Sequence, residues 1–271
     1  MARPNLYALT SIQWNDVVRA LNGIKSSGVY DAFTRRHNQA MMAPTLLPGE
    51  TGTQRNVAHR GPAFLPWHRQ GLAELDEEMQ RVVPGVRIPY WPWHADGSGW
   101  RSARVWTLVG GNGDSRQSYR ITTGPFRSWT SVLWSASSGT FYSRAGIKRQ
   151  FASSGAMPGA PSMAVANYDV SPWSEGSSAS QSFRRALENN HNTVHNLVGG
   201  DMTSGTSPND PLFWMHHANV DRLWAVWEER WGAVYQPVSG CAPGHNLDDA
   251  MRFLVAAAAT PASVLTPPAY L

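Results

Sequence analysis

Apolar residues recur at helical spacing in five stretches of the chain. In 11–26, Trp14, Val17, Val18, Leu21 and Ile24 fall three or four apart, and Thr10 or Ser11 can cap the first turn. Residues 30–42 predict a second helix that ends before Pro44. In 65–83, Leu72, Leu75, Met79, Val82 and Val83 share a face opposite Glu74, Glu77, Glu78 and Arg81, and Pro84-Gly85 stops the helix. Residues 181–198 predict a fourth helix ended by Gly199-Gly200. The strongest pattern is 209–231, where Asp210 can cap, Pro211 suits the first turn, and Phe213, Val220, Leu223, Trp224 and Trp227 form an apolar face.

The intervening stretches read differently. Residues 43–58 are loop-like, and 86–180 are rich in Gly, Pro and Ser. Within them 86–91 could form a short strand, and 247–257 is a short helix candidate further on. No second continuous apolar pattern accompanies the irregular part. The expectation is therefore a single domain, 1–271, with 86–180 as a loop-rich insertion. The fold class expected is mainly α: an antiparallel four-helix bundle core with long irregular loops and a few short strands.

Composition narrows the function. One cysteine, Cys241, rules out an internal disulfide and a cysteine-built metal site. The net charge of +4 comes without a run of five basic residues, so nucleic-acid binding is not expected. No apolar stretch near the C-terminus, such as Phe253 to Ala259, is long enough to span a bilayer. The opening MARPNLYALTS has no apolar region of the secretory kind, so no signal peptide is expected. Thirteen tryptophans indicate a large aromatic core or an aromatic-lined pocket.

The chemistry lies in nine histidines. Six form two sets of three: His37, His59 and His68, then His191, His195 and His217. His191 and His195 stand four apart in HNTVH, on one helix face, where both rings can hold one metal. Inward-facing histidines on four helices make a bundle-core metal site. Asn192 stands where a zinc protease of the HExxH kind needs its glutamate. A di-iron site needs several carboxylates, and although Glu188 lies three before His191, the first set has no partner carboxylate. Three neutral imidazoles per metal suit copper, and two such sites facing each other could hold dioxygen between them. His94, His216 and His245 are read as structural.

These residues bring a resemblance into view. The stretches FTRRHNQAM (33–41), AHRGPAFLPWHRQ (58–70), IPYWPWHAD (88–96), HNTVHNLVGGDM (191–202) and SPNDPLFWMHHANVDRLWAVW (207–227) resemble type-3 copper proteins, most closely bacterial tyrosinases of the actinomycete kind. The opening ARPNLYALT is also similar. The resemblance implies two copper ions, one held by His37, His59 and His68 and the other by His191, His195 and His217. It makes His216 a neighbour of the ligands rather than one of them. Asp221, one turn beyond His217, could hold a ring N–H or a nearby arginine. Val57 stands two before His59, so the thioether of fungal and plant relatives cannot form, in keeping with the bacterial branch.

The resemblance also implies an activity. O2 would ortho-hydroxylate monophenols and oxidise o-diphenols to o-quinones. Glu188 and Asn192 would fix a water that takes the proton of the incoming phenol, provided the helix already runs through 188 despite the short spacer of Asn189 and Asn190. Asn196 and Ala218, each next to a ligand, would line the entrance and contact substrate. The alternatives are an o-aminophenol or catechol oxidase with little monophenol activity and, further off, a haemocyanin-like O2 carrier. Streptomycete-type relatives often need a small helper protein that delivers copper. Such a partner stays open for this chain, as does a location in the cytoplasm or outside the cell alongside the helper.

Overall fold

A computed structural model describes residues 2–52 and 55–271. The helices are α1 (Ser11–Ser26), α2 (Val29–Met42), α3 (Phe64–Val82), α4 (Val105–Val109), α5 (Phe183–Val198) and α6 (Leu212–Trp231). Two strands, β1 (Thr130–Ser135) and β2 (Thr140–Ala145), form an antiparallel hairpin with Thr130 opposite Ala145. The helices α2, α3, α5 and α6 make a four-helix bundle core. α3 lies against α5 and α6, and α1 covers α2 and α3 from outside.

Local signals explain the helix ends. Thr10 accepts from Gln13 N while the Gln13 side chain returns to Thr10 N, a reciprocal capping box that starts α1. Ser182 accepts from Arg185 N to start α5. Gly199 and Gly200 take positive φ and end it. They also lie close under the backbone of Lys148 and Gln150, where a Cβ would sit 2.1 to 2.3 Å from a carbonyl oxygen. α6 begins at Leu212 after Pro211, and Asp210 accepts from Leu212 N at 3.0 Å. The Asp210 carboxylate also meets Arg149 at 2.6 and 2.7 Å, a fully buried pair that ties the irregular segment to the bundle.

Four expectations need correction. α6 has no single apolar face; it is buried nearly all round, because it forms the centre of the core. Val82, placed on the apolar face of α3, is 40% exposed, whereas Glu74, placed on the polar face, is buried. Residues 86–91 form no strand, only an isolated bridge between Asn5 and Tyr90; Pro89 and Pro92 interrupt any ladder. Residues 247–257 form turns rather than a helix. Phe253 sits at φ 63°, and Glu74 receives the Val255 and Ala256 N–H groups that a helix would have turned inward. No helix of the described residues is long and apolar enough to cross a membrane.

Candidate metal centre

The bundle places the six nominated histidines in two adjoining clusters. His37 comes from α2, His68 from the first turns of α3, and His59 from the loop between them. Their ring centroids lie 4.8 to 5.8 Å apart. His191 and His195 come from α5 and His217 from α6, with centroids 4.4 to 5.8 Å apart. The clusters meet where the His68 and His217 rings stack at 4.0 Å. Phe64 and Phe213 pack against rings of both clusters.

Four of the rings are aimed by what their Nδ1 binds. His37 Nδ1 donates to Gly205 O at 2.7 Å, His68 Nδ1 to Phe64 O at 2.8 Å, and His195 Nδ1 to Met202 O at 2.5 Å. His191 Nδ1 meets Asn192 Oδ1 at 3.0 Å. Such bonds set the tautomer and leave Nε2 with its lone pair. The Nε2 atoms of His37, His68 and His195 are buried with no hydrogen-bond partner among the described residues, as are Nδ1 of His59 and Nδ1 of His217. An unmet buried polar atom costs about 1–3 kcal/mol, so the bare Nε2 atoms of His37, His68 and His195 ask for a ligand.

A metal fits this array. His191 Nε2 and His217 Nε2 stand 3.2 Å apart. Two nitrogens bound to one ion at about 2.0 Å and a tetrahedral angle lie roughly 3.3 Å apart. Burial holds His37 and His195 down to about 4 and the other four rings well below the usual histidine range, with neighbouring histidines adding to the effect at most of them. The rings are thus neutral at neutral pH, the form a metal requires. The ligand nitrogens of each cluster lie within 4.8 Å of one another.

The second cluster contains a residue that the sequence reading set aside. His216 belongs to the same group as His191, His195 and His217, stacks on His191 at 5.0 Å, and has no hydrogen bond at either ring nitrogen among the described residues. The doublet His216-His217 carries the signal; the sequence takes its second member as the ligand and reads the first as structural. His94 and His245 lie outside both clusters, bonded to Asn219 and Thr45.

A cleft of about 340 Å³ opens onto both clusters. His37, His59, His191, His195 and Glu188 are its buried floor; Arg60, Glu175, Asn192, Asn196, Thr203 and Ser204 lie towards solvent. Helix α5 does run through 188, so Glu188 and Asn192 are one turn apart on the same wall. Glu188 accepts from Arg60 N at 2.5 Å and from Arg184 Nη1 at 2.6 Å. Burial nonetheless raises its carboxyl above the ordinary value, against the pull of Arg184.

One expectation is redirected here. Ala218 is fully buried in the apolar core and does not line the cleft, because every side of α6 at that level is packed. Asp221 takes the second of the two partners expected of it, arginine: it bonds Arg3 at 2.9 Å and Arg69 at 2.5 Å. Arg60 and Glu175 were not foreseen in the cleft. Arg60 directly follows His59, just as Asn192 and Asn196 follow their histidines, so the same rule applied to the first trio finds it. Glu175 lies in the irregular segment, where periodicity is silent.

The chain is similar to known proteins along most of its length. A family model described as the common central domain of tyrosinase matches residues 27–230. The chain is 38% identical over 262 residues to a tyrosinase of Streptomyces lincolnensis, covering 92% of this chain and 91% of that one. It is 32% identical over 265 residues to a grixazone synthase of Streptomyces griseus, covering 84% of each. Among solved structures, a variant polyphenol oxidase of Thermothelomyces thermophila superposes with a TM-score of 0.66 at 20% identity, over 100% of this chain and 88% of that one.

Proposed function

From the premise that the chain belongs to the tyrosinase family of dicopper oxidoreductases, we propose that it ortho-hydroxylates monophenols and oxidises o-diphenols to o-quinones with O2. His37, His59 and His68 hold one copper and His191, His195 and His217 the other. The observation that carries this reading is that one open cleft is floored by histidines of both clusters. A phenol entering it reaches either site.

When bound, the copper pair supplies the redox chemistry with O2. The protein contributes the rest. Backbone carbonyls and Asn192 fix the rings of His37, His68, His191 and His195 in the tautomer that presents Nε2 inward. The burial of the floor keeps the rings neutral and bulk water out. Glu188 and Asn192 hold the water that takes the proton of the phenol oxygen, and Asn196 contacts the ring substituents at the rim.

One observation favours a second reading. Both carboxylate oxygens of Glu188 already accept hydrogen bonds, one from a buried guanidinium. That weakens it as a proton acceptor and would suit an oxidase of catechols or o-aminophenols with little action on monophenols. Copper-loaded protein assayed with a monophenol, a catechol and an o-aminophenol decides. The first reading expects turnover of monophenol and catechol, and a Glu188→Gln change that lowers monophenol hydroxylation at least tenfold more than catechol oxidation. Lag-free o-aminophenol turnover without monophenol turnover establishes the second. The same sample tests a copper-delivering helper protein, since full loading from a copper salt alone makes one unnecessary.

A further inference from the structure

Of the four Nδ1 bonds that aim the rings, two stay within one helix. His68 donates to Phe64 O in α3, and His191 meets Asn192 in α5. The other two leave their helices and end on the same short link. His195 donates to Met202 O at 2.5 Å, and His37, from α2, donates to Gly205 O at 2.7 Å. One ring of each cluster is therefore aimed by carbonyls of a single connection, the one between α5 and α6.

The β1–β2 hairpin grips that connection at both ends. At its start the buried Asp201 carboxylate accepts from Arg144 Nη2 at 2.5 and 2.8 Å, from Ser131 Oγ at 3.2 Å and from Lys148 N at 2.9 Å. Bonds to a charged group are the strong ones, so the carboxylate is the main fastening. At its far end the buried Asn209 side chain accepts from Val132 N and donates to Val132 O, each at 2.7 Å, as a neighbouring strand would. Between these points Ser204 donates its N–H and its hydroxyl to Asp201 O. Gly205 rests so closely on α2 that a Cβ there would sit 2.7 Å from Asn38 Oδ1, one residue after His37.

We infer that Asp201 is a positioning residue for both metal sites at once. With Arg144 it clamps the 201–209 link to the hairpin, and so sets where the Met202 and Gly205 carbonyls hold His195 and His37. The inference rests on the reading that these two histidines are ligands of different coppers. It gives the hairpin a part in metal binding, although no residue of β1 or β2 lines the cleft. A support shared by two sites makes them loosen together, through His37 and His195. His68 and His191, aimed from within their own helices, are the built-in controls.

The test compares wild type with Asp201→Asn, which keeps the shape of the side chain and removes its charge, and with Arg144→Met, which removes the cation and leaves the link untouched. The full chain, copper-free and loaded with diamagnetic Cu(I), is read by long-range nitrogen–proton NMR of the imidazoles, alongside chelator competition for both ions. In wild type His37 and His195 should carry their proton on Nδ1. Both variants should shift the His37 and His195 signals, with tautomer exchange in the copper-free protein, and leave those of His68 and His191 in place. Copper affinity should fall at both sites by about tenfold, as for other groups that orient ligands. Unmoved His37 and His195 signals, a change confined to one of them, an equal change in all four rings, or undiminished affinity at either site overturns the proposal. Should Asp201→Asn fail to fold, Arg144→Met carries the same test. If wild type binds fewer than two coppers, the ligand reading fails, and the copper-free spectra still decide whether the link aims both rings.

Discussion

At the scale of single residues, four of the six imidazoles, those of His37, His68, His191 and His195, have their Nδ1 atoms bonded to a carbonyl or amide oxygen. His217 and His216 are the informative pair. His217 faces His191 at 3.2 Å and stacks on His68, so it joins the two clusters. His216 is equally buried and faces only the second cluster and Trp93. If His217 is the ligand, His217→Ala should leave about one copper per chain where wild type holds two, read by metal analysis after dialysis. His216→Asn should retain two. The reverse result would move the ligand to His216. The same residues explain what a sequence can reveal about a site. The HNTVH spacing and the two trios are legible because a helix face is a fixed geometric object. Which member of an adjacent pair points inward depends on helix rotation, and α6 is buried nearly all round, so its pattern carries no such information.

At the scale of elements, each long helix was legible to within about three residues at its ends because cap and period agree. Thr10 and Gln13 mark α1, and Ser182 with Gly199 brackets α5. The hairpin β1–β2 was not legible. Strand β2 leaves most of its side chains to solvent, so it shows no alternation of buried and exposed residues. The tail misled for another reason. Its 247–257 segment has helix-forming composition, yet a carboxylate about three turns into α3 has already claimed its amides: Glu74 accepts from Val255 N at 3.0 Å and from Ala256 N at 2.9 Å. Glu74→Ala should therefore destabilise the protein by about 1–2 kcal/mol, since two amides lose a charged acceptor. Hydrogen exchange at 255 and 256 should quicken more than at α1. Unchanged exchange at those two amides would show that the tail is held by something else.

At the scale of the whole molecule, a buried charge network joins both ends of the chain to the bundle. Arg3 bonds Asp76 and Asp221, Tyr270 bonds Asp221, and Arg69 bridges Asp221 and Glu228 while lying 3.5 Å over the Trp224 ring. Within it, burial pushes the Glu228 carboxyl up to about 7 against the opposing pull of Arg69, with Asp221 adding to the rise. Between about pH 4.5 and 7 the folded protein thus holds a proton at Glu228 that the unfolded chain releases. The contribution of this group to stability falls as pH rises through that window and is flat above it. Urea unfolding of wild type and Glu228→Gln across this range checks the sign: the stability of wild type relative to the variant should decline from pH 4.5 to 7. A constant or rising difference would mean that the Arg69 pair keeps Glu228 ionised throughout.

The tail has one more contact of consequence. His245, in the stretch beyond the 27–230 match, accepts from Ala63 N at 3.2 Å and lies so close to Gly61 that a methyl group there would sit 2.8 Å from its ring. Position 61 follows His59 by two residues. The two halves of this fit must be inherited together: a chimaera that grafts another relative's 55–70 loop, with any larger residue at 61, onto this tail would push the imidazole out and tilt the loop that carries His59.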